Sequence, residues 1–74
     1  MQLCDFNKRQ MVSPAARKQS RQLFRKLQNG QKVFRRLMNG YLKVNVGPFW
    51  RILSKDGRQW WLMDHETYNR EIRK

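Results

Sequence analysis

Acidic residues are scarce in this sequence. Five Asp and Glu stand against 17 Lys and Arg, a formal net charge of +12 over 74 residues. No acid at all lies between Asp5 and Asp56. That gap excludes acid–base pairing along any helix in the stretch. It also leaves a positive field that repels itself unless a partner offsets it. Cysteine occurs once, at Cys4, so an internal disulfide is excluded and a reducing, cytoplasmic setting is expected. Histidine also occurs once, at His65, far from Cys4 in sequence. With so few ligands no metal site is expected, and no cofactor either. No apolar run approaches the roughly 18 residues of a membrane span, and the start lacks the apolar core of a signal peptide. Neither membrane insertion nor secretion is therefore expected. A chain of this length makes a single domain with a modest core, so an active or binding site should be a shallow surface.

The charge that is present is unevenly placed. Residues 1–48 hold 11 basic residues and one acid, whereas residues 49–74 hold six and four. The obvious partners for such a chain are DNA, RNA, the ribosome or an acidic protein, bound with steep salt dependence.

Within residues 1–12 the pattern is mixed, with 8–12 readable as a short edge strand. Ser13 then suits an N-cap and Pro14 the first helical position. Ala16, Ser20, Leu23, Phe24 and Leu27 recur at spacings of three and four, which is one face of a helix ending at Asn29-Gly30. Val33, Phe34, Leu37 and Met38 predict a second, shorter helix over 31–38, stopped by Asn39-Gly40. The apolar period changes to two at Leu42, Val44 and Val46, which reads as a strand with one buried face. Residues 49–54 and 59–63 read as two more strands, joined at Lys55-Asp56-Gly57-Arg58, where Asp-Gly suits a type I′ turn. Asp64 is placed to cap a final helix, with Tyr68 and Ile72 packing back.

Several residues invite chemistry. Phe49, Trp50, Trp60 and Trp61, interleaved with Arg51 and Arg58, suit base stacking and phosphate contact. They suit equally a small aromatic core with cross-strand pairs. Trp60 and Trp61 must point to opposite faces of their strand, so one should be the more exposed. Arg51, between Trp50 and Ile52, needs a partner such as Asp64 or Glu66, or else a phosphate to hold. His65 is the side chain that titrates near neutrality, and with Tyr68 it suits general acid–base work, or simply a surface or capping role.

The segment Ser13-Pro14-Ala15-Ala16, the run Leu42 to Val46 followed by Gly47 and Trp50-Arg51-Ile52-Leu53, and the ending Trp61-Leu62-Met63-Asp64-His65-Glu66-Thr67-Tyr68-Asn69 together resemble the RelE/ParE superfamily of toxins from bacterial type II toxin–antitoxin pairs. The ending is similar to a prophage-borne, ParE-like subgroup. The resemblance spans about residues 13–70 and is most specific at Trp50-Arg51-Ile52 and at 64–69.

It implies an α+β fold, a helical hairpin packed on a small twisted antiparallel sheet of three to four strands with a short C-terminal helix. On this chain, 1–12 would be irregular or an edge strand, 13–38 the basic hairpin, 41–63 the sheet and 64–73 the last helix. The resemblance also implies a cognate antitoxin, acidic to match the toxin, and two modes of action. ParE-like members bind DNA gyrase and need no chemistry. RelE-like members cut mRNA on the ribosome without a metal. Arg51, His65 and Tyr68 match the positions that would carry that cleavage. Lys43, Arg51, Lys55, Arg58 and Trp61 are the expected target-facing residues, and Arg17, Arg21, Arg25, Lys32, Arg35 and Arg36 the expected antitoxin-facing or basic surface. The sparse catalytic set tilts the expectation toward gyrase. A reading from another class is a non-toxic, phage-encoded nucleic-acid-binding protein, which predicts exposed tryptophans. Oligomeric state is not legible.

Overall fold

Helix α1 (Pro14–Gln28) begins where its cap chemistry dictates. Ser13 is extended, and its hydroxyl accepts from the Ala16 amide at 3.2 Å. The helix stops at Asn29, and Gly30 follows with φ +84°, the left-handed geometry that satisfies the last carbonyls. Its apolar stripe of Leu23, Phe24 and Leu27 packs onto a sheet. Its arginines and lysines cover the rest.

The computed structural model describes residues 1–73. Five strands form one sheet: β1 (Gln2–Asp5), β2 (Arg35–Arg36), β3 (Leu42–Val46), β4 (Trp50–Ser54) and β5 (Gln59–Asp64). Their spatial order is β1-β5-β4-β3-β2. The pairs β2–β3, β3–β4 and β4–β5 are antiparallel, whereas β1 runs parallel to β5 with Leu3 beside Trp60. Helix α2 (His65–Glu71) closes the described elements.

Strand alternation sorts the core into two layers. Val44, Val46, Ile52, Trp60 and Leu62 face α1 and bury with Leu27. Val44, Ile52 and Leu62 stand in register across the three strands. On the other face Leu53 and Met63 pack with Tyr68 of α2, bordered by Leu37, Tyr41, Trp61 and Ile72. Trp60 is 1 % exposed, and the neighbouring Trp61, on the opposite face, is only half-buried.

Three expectations are corrected. The N-terminal helical hairpin is not formed: α1 is followed by irregular chain and the two-residue strand β2, not by a helix over 31–38. Helix formation there would set Lys32, Arg35 and Arg36 on a short segment with no acid to pair them. Pairing with β3 instead satisfies the backbone, while Val33, Phe34 and Leu37 still reach the core. Second, the sheet is a mixed one of five strands, not an antiparallel one of three or four. The strands beyond the three expected within 41–63 are Gln2–Asp5 and Arg35–Arg36, and residues 8–12 form none. Third, the β4–β5 loop is not a type I′ turn. That turn needs positive φ at both central residues, and glycines alone have positive φ among the described residues. The Asp56 carboxylate shapes the loop from inside, accepting from the Arg58 and Gln59 amides at 2.9 and 3.0 Å.

Candidate target-binding face

The face of the sheet opposite α1 is only partly roofed by α2, and the uncovered part collects most of the candidate residues. β3 supplies Lys43 and Asn45 there, β4 supplies Arg51, and β5 supplies Trp61. α2 contributes Tyr68 from the side.

Arg51 is half-buried. Its Nη1 donates to the Trp50 carbonyl at 2.8 Å and to the Gly47 carbonyl at 3.4 Å. No carboxylate pairs with it among the described residues, so the expected partners Asp64 and Glu66 do not hold it. Asp64 is engaged elsewhere, accepting from the Thr67 amide at 2.7 Å to cap α2. Across from Arg51 on β3 stands Asn45. A guanidinium held by two carbonyls keeps most of its donors and its full charge for a partner.

Lys43 lies over the Tyr68 ring, its Nζ 5.7 Å from the centroid. Tyr68 is 6 % exposed, and burial pushes its phenol up from the ordinary value of 10.0, with the Arg51 charge offsetting part of that. At neutral pH the phenol therefore keeps its proton and acts as a donor, not a base.

His65 is the first residue of α2. Its amide donates to the Phe49 carbonyl at 2.9 Å, and its ring sits 6.2 Å from that of Phe49. Its Nδ1 is buried without a hydrogen-bond partner among the described residues.

On the far side of Lys43 the face continues onto β2. Arg35 stands directly across from Lys43. Like charges in that position repel and destabilise a sheet. With Lys32, Val33, Phe34 and Asn45 they line a cleft of ≈ 340 Å³. Repulsion maintained in a cleft is what an anionic partner would relieve.

The remaining expected target residues are less convergent. Lys55 sits over the Tyr41 ring at 5.4 Å and reaches Glu71 at 3.7 Å. Arg58 is on the exposed β4–β5 loop. Trp61 is met edge-on by Phe6, with centroids 5.9 Å apart. The six residues expected to form one basic surface separate into two groups. Arg17, Arg21 and Arg25 flank β1, whereas Arg35 and Arg36 form β2 at the opposite edge of the sheet, with Lys32 in the cleft beside Arg35. Arg17 is also committed, forking onto Asp5 at 2.7 and 3.0 Å.

Reading the sequence missed Asn45 and Tyr41 as neighbours of the charged groups, and Phe49 as the ring beside His65. The signal for Asn45 was available, because fixing the β3–β4 hairpin register places it opposite Arg51. Among the described residues no cluster of three or more His, Cys, Asp or Glu is arranged to hold a metal ion, and no helix is long and apolar enough to cross a membrane.

Comparison with known proteins bears on the whole of this region. The family model for the ParE-like toxin domain matches residues 14–70, from the start of α1 to the last turn of α2. No curated protein and no solved structure gives a match.

Proposed function

The chain belongs to the ParE-like toxin domain family, which makes it the toxin half of a toxin–antitoxin pair, and we propose that it halts growth by engaging DNA gyrase in the cytoplasm rather than by cutting RNA. The observation that carries the proposal is a mismatch on the open face. Cations converge there, Arg51, Lys43 and Arg35 among them, while the groups that would have to move protons are poorly disposed to do so. RNA cleavage through the 2′-hydroxyl needs a base able to titrate near the working pH. The Tyr68 phenol, protonated near neutrality in any case, is pushed further from ionising by burial, and the Nδ1 of His65 is buried with no hydrogen-bond partner among the described residues. A binder needs neither group to titrate. It needs charge, shape and an unpaired guanidinium, which Arg51 supplies. The antitoxin that neutralises it is proposed to be an acidic protein, from the +12 charge it would have to meet.

Purified protein added to gyrase and plasmid DNA should block supercoiling and leave broken DNA after denaturation. Arg51→Ala should weaken that effect by roughly tenfold, the usual scale for one well-placed charged contact. In the same preparation Arg51→Ala should shift folding stability by less than about 1 kcal/mol, because no buried carboxylate is left unpaired. Message cut in a translating extract, with supercoiling untouched, would transfer the function to ribosome-dependent cleavage. His65→Ala and Tyr68→Phe would then have to abolish it. Harmless expression combined with tight DNA binding would point instead to a non-toxic nucleic-acid-binding protein.

A further inference from the structure

We propose that the solvent side of helix α1 is a binding ridge for duplex DNA, seated in the major groove and held by the phosphates on either wall. This surface stands or falls independently of the toxin–antitoxin reading.

Among the described residues α1 is the one helix on its face of the sheet, and α2 packs on the other. Leu23, Phe24 and Leu27 turn inward. By the helical period, Lys18, Gln22 and Arg25 then run along the outer crest, with Arg21 on one flank and Lys26 on the other. From residue 18 to residue 29 every exposed side chain is Lys, Arg, Gln or Asn. No carboxylate pairs with Lys18, Arg21, Arg25 or Lys26 among the described residues. Asp5 is committed to Arg17 in a two-pronged contact at 2.7 and 3.0 Å, and the next acid along the chain is Asp56. Glu66 and Glu71 belong to α2, on the opposite face. The ridge is therefore the part of the molecule where positive charge stands unanswered.

Shape and chemistry together choose the partner. A helix with its side chains is about 10–12 Å across, and the major groove of B-form DNA is about 12 Å wide. With α1 seated there, Arg21 and Lys26 face the phosphate walls on opposite sides. The crest faces the base edges, which Gln22 and Arg25 have the donors to meet. Like charges held along one helix repel, and a duplex carrying one negative charge per roughly 1.7 Å relieves that repulsion. Duplex RNA fits less well, because its A-form major groove is too deep and narrow to admit the helix. An acidic protein also fits less well. A stable protein interface is anchored by aromatic and apolar side chains, and the exposed residues from 18 to 29 include none.

The test titrates the full chain into a fluorescein-labelled DNA duplex of about two helical turns and follows anisotropy over a salt series. Contacts from Lys18, Arg21, Arg25 and Lys26 should make log K fall against log salt with a slope of roughly −3 to −4. Arg21→Gln with Lys26→Gln should make that slope shallower by about two, and weaken binding by at least roughly tenfold at about 0.1 M salt. Glutamine is a good helix former, so the variant should fold, and its urea midpoint provides the check. Arg70→Gln with Arg73→Gln removes the same charge at the end of α2 and should change the slope by less than about 0.5. The same sequence as duplex RNA should bind more weakly. An unchanged slope in the Arg21/Lys26 variant would overturn the proposal, and so would an equal loss in the Arg70/Arg73 variant, which would mean that net charge alone is read. Duplex RNA bound as tightly as DNA, or DNA displaced by polyglutamate at equal charge, would also overturn it. Growth on induction is scored in parallel. A harmless protein that still binds the duplex retains the ridge and removes the toxin reading. A toxic protein without affinity for the duplex removes the ridge alone.

Discussion

Asp64 does two things from one position: it ends β5 and starts α2. Its carboxylate accepts from the Thr67 amide at 2.7 Å, and that contact, with lesser help from the Thr67 hydroxyl, Arg70 and His65, holds its pKa below the ordinary 3.8. The native state therefore binds fewer protons at this site than the unfolded chain does. The stabilisation is fully present above the ordinary carboxylate range and is lost as pH falls through the lower, folded value. Asp64→Ala should cost about 1 kcal/mol near neutrality, the usual loss for an N-cap. The difference between wild type and variant, read from urea midpoints, should narrow when measured at about pH 3 rather than about pH 7. An undiminished difference at the lower pH would mean that the charge contributes nothing. Arg51 stands in contrast. Its expected pairing with Asp64 fails because the register sets Met63, not Asp64, beside it, and the Asp64 carboxylate caps α2.

At the scale of elements, the loop between β4 and β5 shows how a short motif can be right in place and wrong in kind. Lys55-Asp56-Gly57-Arg58 does join two strands, but the turn is set by side chains. Ser54, 0 % exposed, accepts from the Gly57 amide at 2.8 Å, while Asp56 accepts from the two amides beyond it. Gly57 holds φ +80°, and a methyl there would meet only the Leu42 side chain, at 3.9 Å. Backbone strain, not crowding, should therefore set the cost of Gly57→Ala, about 1 kcal/mol in thermal unfolding. A neutral result would mean that the loop reshapes freely. The three antiparallel strands and α2 were legible because their signals are local: a period of two at Leu42, Val44 and Val46, a cap at Asp64, and the spacing of Tyr68 and Ile72. The start and stop of α1 were legible for the same reason. The segment 31–38 was not, since Val33, Phe34 and Leu37 bury just as well from an extended chain, and the choice is made by β3. Nor was β1, whose parallel partner lies more than 50 residues away and leaves no turn in the sequence to mark it. The same limit applied to the candidate site. Arg51, Lys43 and Tyr68 were foreseen one by one, whereas the opposition of Arg35 and Lys43 depends on a strand that the sequence reads as helix.

Over the whole molecule, the positive charge counted in the first 48 residues is divided between two edges of one sheet. The strand order has a further bearing, on timing. β5 is the last of the described strands in chain order, yet it lies between β1 and β4. A nascent chain that has emerged only through Ser54 has a first strand with nothing to pair with and a helix whose apolar stripe lacks Trp60 and Leu62. Assembly must wait for the ribosome to deliver residues 59–64, and such distant pairings form slowly. A chain stopped after Ser54 should accordingly be cut by protease at the rate of an unfolded polypeptide. The cell thus meets residues 1–54 of this protein as an unassembled thread, and the folded toxin domain only once residues 59–64 have joined the sheet.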